Sequence, residues 1–206
     1  RVVICSMATQ ARRREALLSD YVFRYHRLFR DRATFLLDFM HNKPERPIPR
    51  NAPTLEGGDI IVARRDVLLV GLTERTNRAA ITQLAAALKE AGSGVKTIIV
   101  AELPRQRSFM HLDTVFTFTS GHECLIYPPV ILPGGSEAAK VTTLDLTGRT
   151  TKATEQKSLL KALKKVDMDF EPIHCGGKRA VDQQREQWTD GANAFALAPG
   201  IILLYE

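Results

Sequence analysis

The chain has 206 residues, 44% of them hydrophobic and 25% charged, with a formal net charge of +6; it is long enough to bury a sizeable core and has the composition of an ordinary globular protein. No apolar run approaches the roughly 20 residues of a membrane-spanning helix, so a bilayer crossing is not expected. Three cysteines at irregular spacing, Cys5, Cys124 and Cys175, make neither a disulfide framework nor a four-ligand zinc site, and a reducing, cytoplasmic setting is expected.

The sequence opens on Arg1-Val-Val-Ile-Cys5, which is strand-like from the first residue and has neither an initiator Met nor a leader. That start predicts a piece of something longer. A helix is expected over residues 11–42, with Leu17, Leu18, Val22, Tyr25, Leu28 and Phe29 on one side and Pro44 and Pro47 ending it. The proline-rich residues 43–53 read as a surface connection. Glu56-Gly-Gly-Asp59 then forms a corner, followed by two short apolar runs split by Arg65-Asp66, the pattern of a strand pair. After Arg75 the alanines and leucines fall at helical spacing and close on Gly92. A looser strand pair follows His111-Leu-Asp113 and stops at Pro128-Pro129, and residues 132–139 look like a loop. A second helix is expected over residues 154–166, with Leu159, Leu160 and Leu163. His174-Cys175 reads as a strand end before Gly176-Gly177. Asp190-Gly-Ala-Asn193 then restarts the first corner, with apolar runs split by Pro199-Gly200.

The two corners and the runs after them align without a gap, so one unit of strand pair and helix is used repeatedly. Such repeats stack or close into a ring, and the fold class expected is α/β, in the form of an α/β propeller. Residues 1–206 form a single domain on this view. The first unit begins in mid-strand and the last stops before its helix, so the propeller is expected to be incomplete at both ends.

Four groups of residues could do chemistry, each with a plainer alternative. Glu56 and Asp59 flank glycines that permit close approach and positive φ, or the corner is an ordinary turn. At a strand start His111 and Asp113 would point to one side and share a pocket, or they are structural. Arg75 lies near a helix N-terminus, where it could hold a carboxylate bidentately, or it is an exposed charge. Arg12-Arg13-Arg14 is either three solvated charges or one inward arginine and two outward ones. His174-Cys175 lacks the second spaced pair that a zinc site needs. Taken together, acids, an imidazole and two arginines complement a free amino acid with a guanidinium side chain.

In order, the segments LEGGDIIVARRDVLLVGLTERTN, MHLDTVFT and EQWTDGANAFALAPG resemble the arginine deiminases of the guanidino-group-modifying superfamily. The likeness runs from ARRREALL to Pro199-Gly200. It implies the pentein fold, a five-unit α/β propeller around a central site. It also implies hydrolysis of L-arginine to citrulline and ammonia through a covalent thiouronium adduct on a cysteine, with no metal or organic cofactor. By the same resemblance Glu56 and His111 handle protons, Asp113 binds the guanidinium nitrogens, and Arg75 and Arg12 hold the substrate carboxylate. Asp59 belongs with the substrate-binding set as the acid that completes the corner presenting Glu56.

The departures concern both ends of the family pattern. The second guanidinium-binding Asp of a Phe-Thr-Arg-Asp motif and the nucleophilic Cys of a Gly-rich His-Cys motif are not in this sequence. Cys175 is a weak substitute, because it precedes the Glu-Gln-Trp-Thr-Asp-Gly segment that the family places before its nucleophile. Cys5 and Cys124 read as small buried residues. The chain alone is therefore expected to be inactive, and its open module faces point to a homo-oligomer, a dimer or higher. A nucleic-acid partner is not expected, since the basic residues are dispersed. Two alternatives remain: a non-catalytic pentein module binding RNA or the ribosome, and an amidinohydrolase acting on agmatine or a methylated arginine.

Overall fold

The computed structural model describes residues 1–40 and 52–204. In chain order the elements are β1 (Val2–Ile4), α1 (Arg13–Tyr25), β2 (Phe35–Asp38), β3 (Ile60–Arg64), β4 (Val67–Leu72), α2 (Arg78–Glu90), β5 (Thr97–Glu102), β6 (Phe116–Phe118), β7 (Glu123–Ile126), α3 (Pro128–Ile131), β8 (Lys140–Asp145), β9 (Lys152–Gln156), α4 (Leu159–Lys164), β10 (Glu171–His174), α5 (Ala180–Trp188), β11 (Phe195–Ala198) and β12 (Ile201–Leu203).

The centre is a mixed five-stranded sheet in the order β3-β4-β5-β8-β9, in which only the β4/β5 pair is parallel. That parallel step is the crossover made by α2, and every residue of β4 is buried. The alternation of side chains splits β4 between two cores. Leu68, Val70 and Leu72 pack under Ile81, Leu84 and Leu88 of α2. Val67 and Leu69 face the other way, onto Phe116, Ile126, Leu159 and Leu163. Burial of this kind stabilises by about 1.5–3 kcal/mol for each large aliphatic side chain.

Local signals fix the ends of α2. Asn77 caps the start, its side chain accepting from the Ala80 amide at 3.0 Å, a contact of about 1 kcal/mol. At the other end Gly92 takes φ 53°, and the amides of Gly92 and Ser93 return to Lys89 and Leu88, the paired bonds that close a helix on a left-handed glycine.

The smaller sheets are β10-β7-β6, the parallel pair β1-β2 and the hairpin β11-β12. The structure is thus α/β with mixed sheets, and none closes into a ring among the described residues. The two corner-led strand pairs are both present, β3/β4 and β11/β12, but their surroundings differ. In the first, β4 is buried throughout and β3 forms an edge of the central sheet, whereas Phe195, Leu197, Ile201 and Leu203 of the second are exposed.

Three local expectations are corrected. The helix expected over residues 11–42 ends at Tyr25, and residues 35–38 form β2, because the run Phe35-Leu-Leu can pair with β1 and pack on the α2 core; Asn42, Pro44 and Pro47 lie outside the described residues. The apolar side of α1 faces solvent, with Leu18 and Tyr25 each 66% exposed. Its inward side holds Ala16 and Asp20, and Arg24 joins Asp20 to Asp38 of β2. Finally, Thr154 lies in strand β9, which pairs with β8, and α4 begins only at Leu159, where the Ser158 side chain accepts from the Lys161 amide at 3.3 Å.

Candidate active site

The Glu56-Gly-Gly-Asp59 corner is a single short turn leading into β3, and both of its carboxylates are buried, Glu56 to 1% exposure and Asp59 to 0%. Neither Gly57 nor Gly58 has positive φ, so the conformational reason expected for these glycines is not met, and at Gly58 a steric one takes its place. A Cβ on Gly58 would stand 2.7 Å from Asp113 Oδ2 and 2.9 Å from His111 Cγ. A Cβ on Gly71 of β4 would stand 2.2 Å from Asp59 Oδ1. Two glycines therefore let the corner, β4 and the His111 segment meet.

His111 and Asp113 do not start a strand as expected. His111 is extended and Leu112–Thr114 make a tight turn ahead of β6, yet both side chains still lie against Gly58. Asp59 ties the two segments together: Oδ1 accepts from the Leu112 amide at 3.0 Å and Oδ2 from Thr73 Oγ1 at 2.8 Å. Both of its oxygens are thus held by protein donors.

Glu56 is the hub. Its Oε2 accepts from His111 Nε2 at 2.9 Å and from Arg12 Nη1 at 2.6 Å, and its Oε1 accepts from the Ala8 amide at 3.0 Å. A carboxylate offers only acceptors, so the imidazole carries its proton on Nε2. Arg12 is the inward member of its triplet, and its Nε and Nη2 are paired with Glu15. Arg75 Nη1 lies 3.7 Å from Glu56 Oε1 and makes no hydrogen bond, although it is buried. Asp113 Oδ1 is likewise buried without a partner. The cluster thus presents one unused donor and one unused acceptor.

The electrostatics follow from this packing. Burial alone pushes the Glu56 carboxyl up, but the hydrogen bonds from His111 and Ala8 and the Arg12 charge outweigh it and hold it below the usual carboxylate range. Burial favours neutral His111, but the bond to Glu56 and the charges of Asp59, Asp113 and Glu56 win, and its pKa is raised. Asp59 is pushed up to about 6 by burial, against the hydroxyls of Thr76 and Thr73, the His111 charge and the Leu112 amide. Burial also raises Asp113, helped by the Asp190 charge and opposed by His111 and Arg12.

The cysteines are poor thiolates. Cys175 follows β10, packs with Leu125 and Ala192, and is pushed up to about 11 by burial and then Glu186. Cys5 reaches about 11 through burial and the charges of Glu56 and Asp59, and Cys124 about 12 through burial. Among the described residues no group of three or more His, Cys, Asp or Glu side chains could hold a metal ion.

A family model described as arginine deiminase matches residues 1–206. The chain belongs to the arginine deiminase family. The arginine deiminase of Bacillus cytotoxicus is 34% identical over 207 residues, covering 100% of this chain and 48% of that protein. That of Listeria innocua is 34% identical over 209 residues with the same coverage, and that of Streptococcus pneumoniae 33% identical over 203 residues, 97% of this chain and 46% of the relative. The chain spans about half the length of the curated relatives it matches. A solved dimethylarginine dimethylaminohydrolase, an adduct with S-methyl-L-thiocitrulline, superposes with a TM-score of 0.50 at 17% identity, over 95% of this chain and 52% of that one. The likeness is one of fold, and it places this arginine deiminase family chain among the pentein folds.

Sequence reasoning missed the residues that hold the site together. Thr73 and Thr76 bracket Arg75: the Thr73 hydroxyl donates to Asp59 and accepts from the Arg75 amide at 3.0 Å, while Thr76 Oγ1 accepts from the Glu56 amide at 3.1 Å. A threonine on each side of an arginine just before a helix cap was the available signal. Glu15 beside Arg12, and Asp190 facing Asp113, gave no signal that spacing could detect.

Proposed function

We propose that this chain carries the substrate-binding and proton-transfer half of an arginine deiminase, L-arginine and water giving L-citrulline and ammonia, within one propeller domain that residues 1–206 do not complete. The observation that carries this is the pair of unused groups beside Glu56 and His111. Asp113 Oδ1 is a buried acceptor without a donor, and Arg75 Nη1 a buried donor without an acceptor. A guanidinium and a carboxylate on one ligand satisfy them together.

In this reading the guanidinium nitrogens lie against Glu56 and Asp113, with the Arg75 guanidinium on the substrate carboxylate. Arg12 joins Arg75 once the substrate displaces it from Glu56. Asp59 serves by holding the His111 turn. A thiolate attacks the guanidinium carbon, His111 gives the proton with which ammonia leaves, and it then takes one from the water that hydrolyses the thiouronium adduct. The raised thiols of Cys5, Cys124 and Cys175 speak against all three as nucleophile, so that group is assigned to sequence outside these residues, and the 206 residues alone are inactive. The exposed apolar faces of α1 and the β11/β12 hairpin support self-association, and no helix among the described residues is long and apolar enough to cross a membrane. A cytoplasmic location is part of the same proposal.

The test is a colorimetric citrulline assay with L-arginine. The 206-residue chain should make none, and a longer chain carrying both the Phe-Thr-Arg-Asp and the Gly-rich His-Cys segments should make it, with Glu56→Gln and His111→Gln each abolishing turnover. A longer chain that folds and makes no citrulline overturns the proposal.

A further inference from the structure

A cavity of about 220 Å³ lies at the C-terminal end of α5, lined among others by Phe109, Tyr127, Glu137, Gln187 and Trp188. None of these residues belongs to the Glu56 cluster. Gln187 is only 5% exposed, and its Nε2 donates to the Ser108 and Thr114 carbonyls at 3.1 and 2.9 Å. Both partners are pure acceptors, so the orientation of the amide is fixed, and its Oε1 is left as a buried acceptor with no donor. Glu137 Oε2 is in the same condition, while its Oε1 takes a long 3.4 Å bond from Gln106 Nε2. Buried acceptors left unpaired cost free energy unless something donates to them.

The rest of the wall determines the charge and shape of what would fit. Among the described residues Glu137 is the only charged one lining the cavity. The carbonyl end of α5 adds negative potential at the same place. Trp188 closes that helix with 86% of its surface exposed, an indole face available to a cation. Phe109 and Tyr127 meet behind it at 5.6 Å between ring centroids. The geometry points to a binding site for a small planar organic cation with several N–H donors, of the alkylguanidinium class, in which Gln187 Oε1 and Glu137 take the N–H groups and Trp188 covers the plane. The site stands independently of the catalytic proposal.

Trp188 is the one tryptophan of the chain, so its fluorescence reports occupancy directly. Methylguanidinium is titrated at constant ionic strength, with neutral methylurea and sodium chloride as comparisons. A saturable change with methylguanidinium alone is expected, weakened about tenfold or more in Glu137→Gln and unchanged in Glu56→Gln. A linear response matched by sodium chloride or by methylurea overturns the inference. So does a curve that survives Glu137→Gln and vanishes in Glu56→Gln, which assigns the ligand to the catalytic cluster and leaves the proposed function standing. Absence of citrulline from the longer chain, with the Trp188 curve intact, strikes the proposed function and not this site. Should Glu137→Gln fail to fold by circular dichroism, the methylguanidinium and methylurea pair on the unaltered chain still decides.

Discussion

Glu56 and His111, 55 positions apart in sequence, are joined by a buried 2.9 Å hydrogen bond from Nε2 to Oε2. The imidazole's pKa is raised from 6.5 in the folded chain, so protonated His111 is favoured by folding. A raised folded-state pKa gives stabilisation that is complete below the unfolded value and lost as pH rises through the folded one. The stability difference between the wild type and His111→Gln in urea unfolding should therefore be largest below about pH 6 and shrink as pH is raised past the folded pKa. A difference that grows with pH would count against the ion pair.

Arg12 and His111 act on the same oxygen of Glu56, but not equally. The His111 hydrogen bond is the stronger of the two in holding the Glu56 carboxyl down. Carbon-13 titration of that carboxyl should move upward in both Arg12→Met and His111→Gln, and further in the second. Equal shifts would mean that the His111 contact holds Glu56 down no more strongly than the Arg12 contact does.

Three neighbouring glycines should respond differently to alanine. At Gly57 a Cβ meets nothing within 4 Å, at Gly58 it meets Asp113 at 2.7 Å, and at Gly71 it meets Asp59 at 2.2 Å. Gly57→Ala should change thermal stability little, whereas Gly71→Ala, in a strand buried on both faces, should cost about 1–3 kcal/mol or more. If Asp113 binds the guanidinium as proposed, Gly58→Ala should displace it and weaken arginine binding in calorimetry more than it lowers the melting temperature. A stable Gly71→Ala variant would contradict the close approach of β4 to the corner.

All three thiols should be slow. With pKa values pushed to about 11 or 12, only about one thousandth or less of each is thiolate at pH 8. Reaction with Ellman's reagent in the folded chain should trail that of free cysteine by orders of magnitude, led by half-buried Cys5, and three equivalents should appear in denaturant. A rapid equivalent lost on Cys175→Ser would make Cys175 a credible nucleophile.

The central architecture was legible because local and long-range demands agreed there. In β4 an unbroken apolar run matches burial on both faces, and in α2 helical spacing, the Asn77 cap and Gly92 all point to the same boundaries. Where they disagreed, periodicity misled. The leucines and aromatics of α1 face solvent because Arg24, held by Asp20 and Asp38, turns the polar side inward. The Phe35 run reads as helix until β1 is there to pair with it, and Thr154 reads as helix until β8 is. His111 and Asp113 were legible as partners, though a turn and not a strand brings them together. That Arg12 would lie on Glu56, and that threonines would hold both carboxyl-bearing residues of the corner, depends on contacts no sequence spacing encodes.

Residues 73–76 carry Arg75, hold Asp59 through the Thr73 hydroxyl and hold the Glu56 amide through the Thr76 hydroxyl. Three of the pocket's charges therefore ride on a common mounting. Arg75 cannot be moved along the α2 axis by itself, because both acids would be dragged with it. Arg12, at the head of α1, is mounted elsewhere, whereas the turn that carries Asp113 is itself tied to Asp59 through the Leu112 amide.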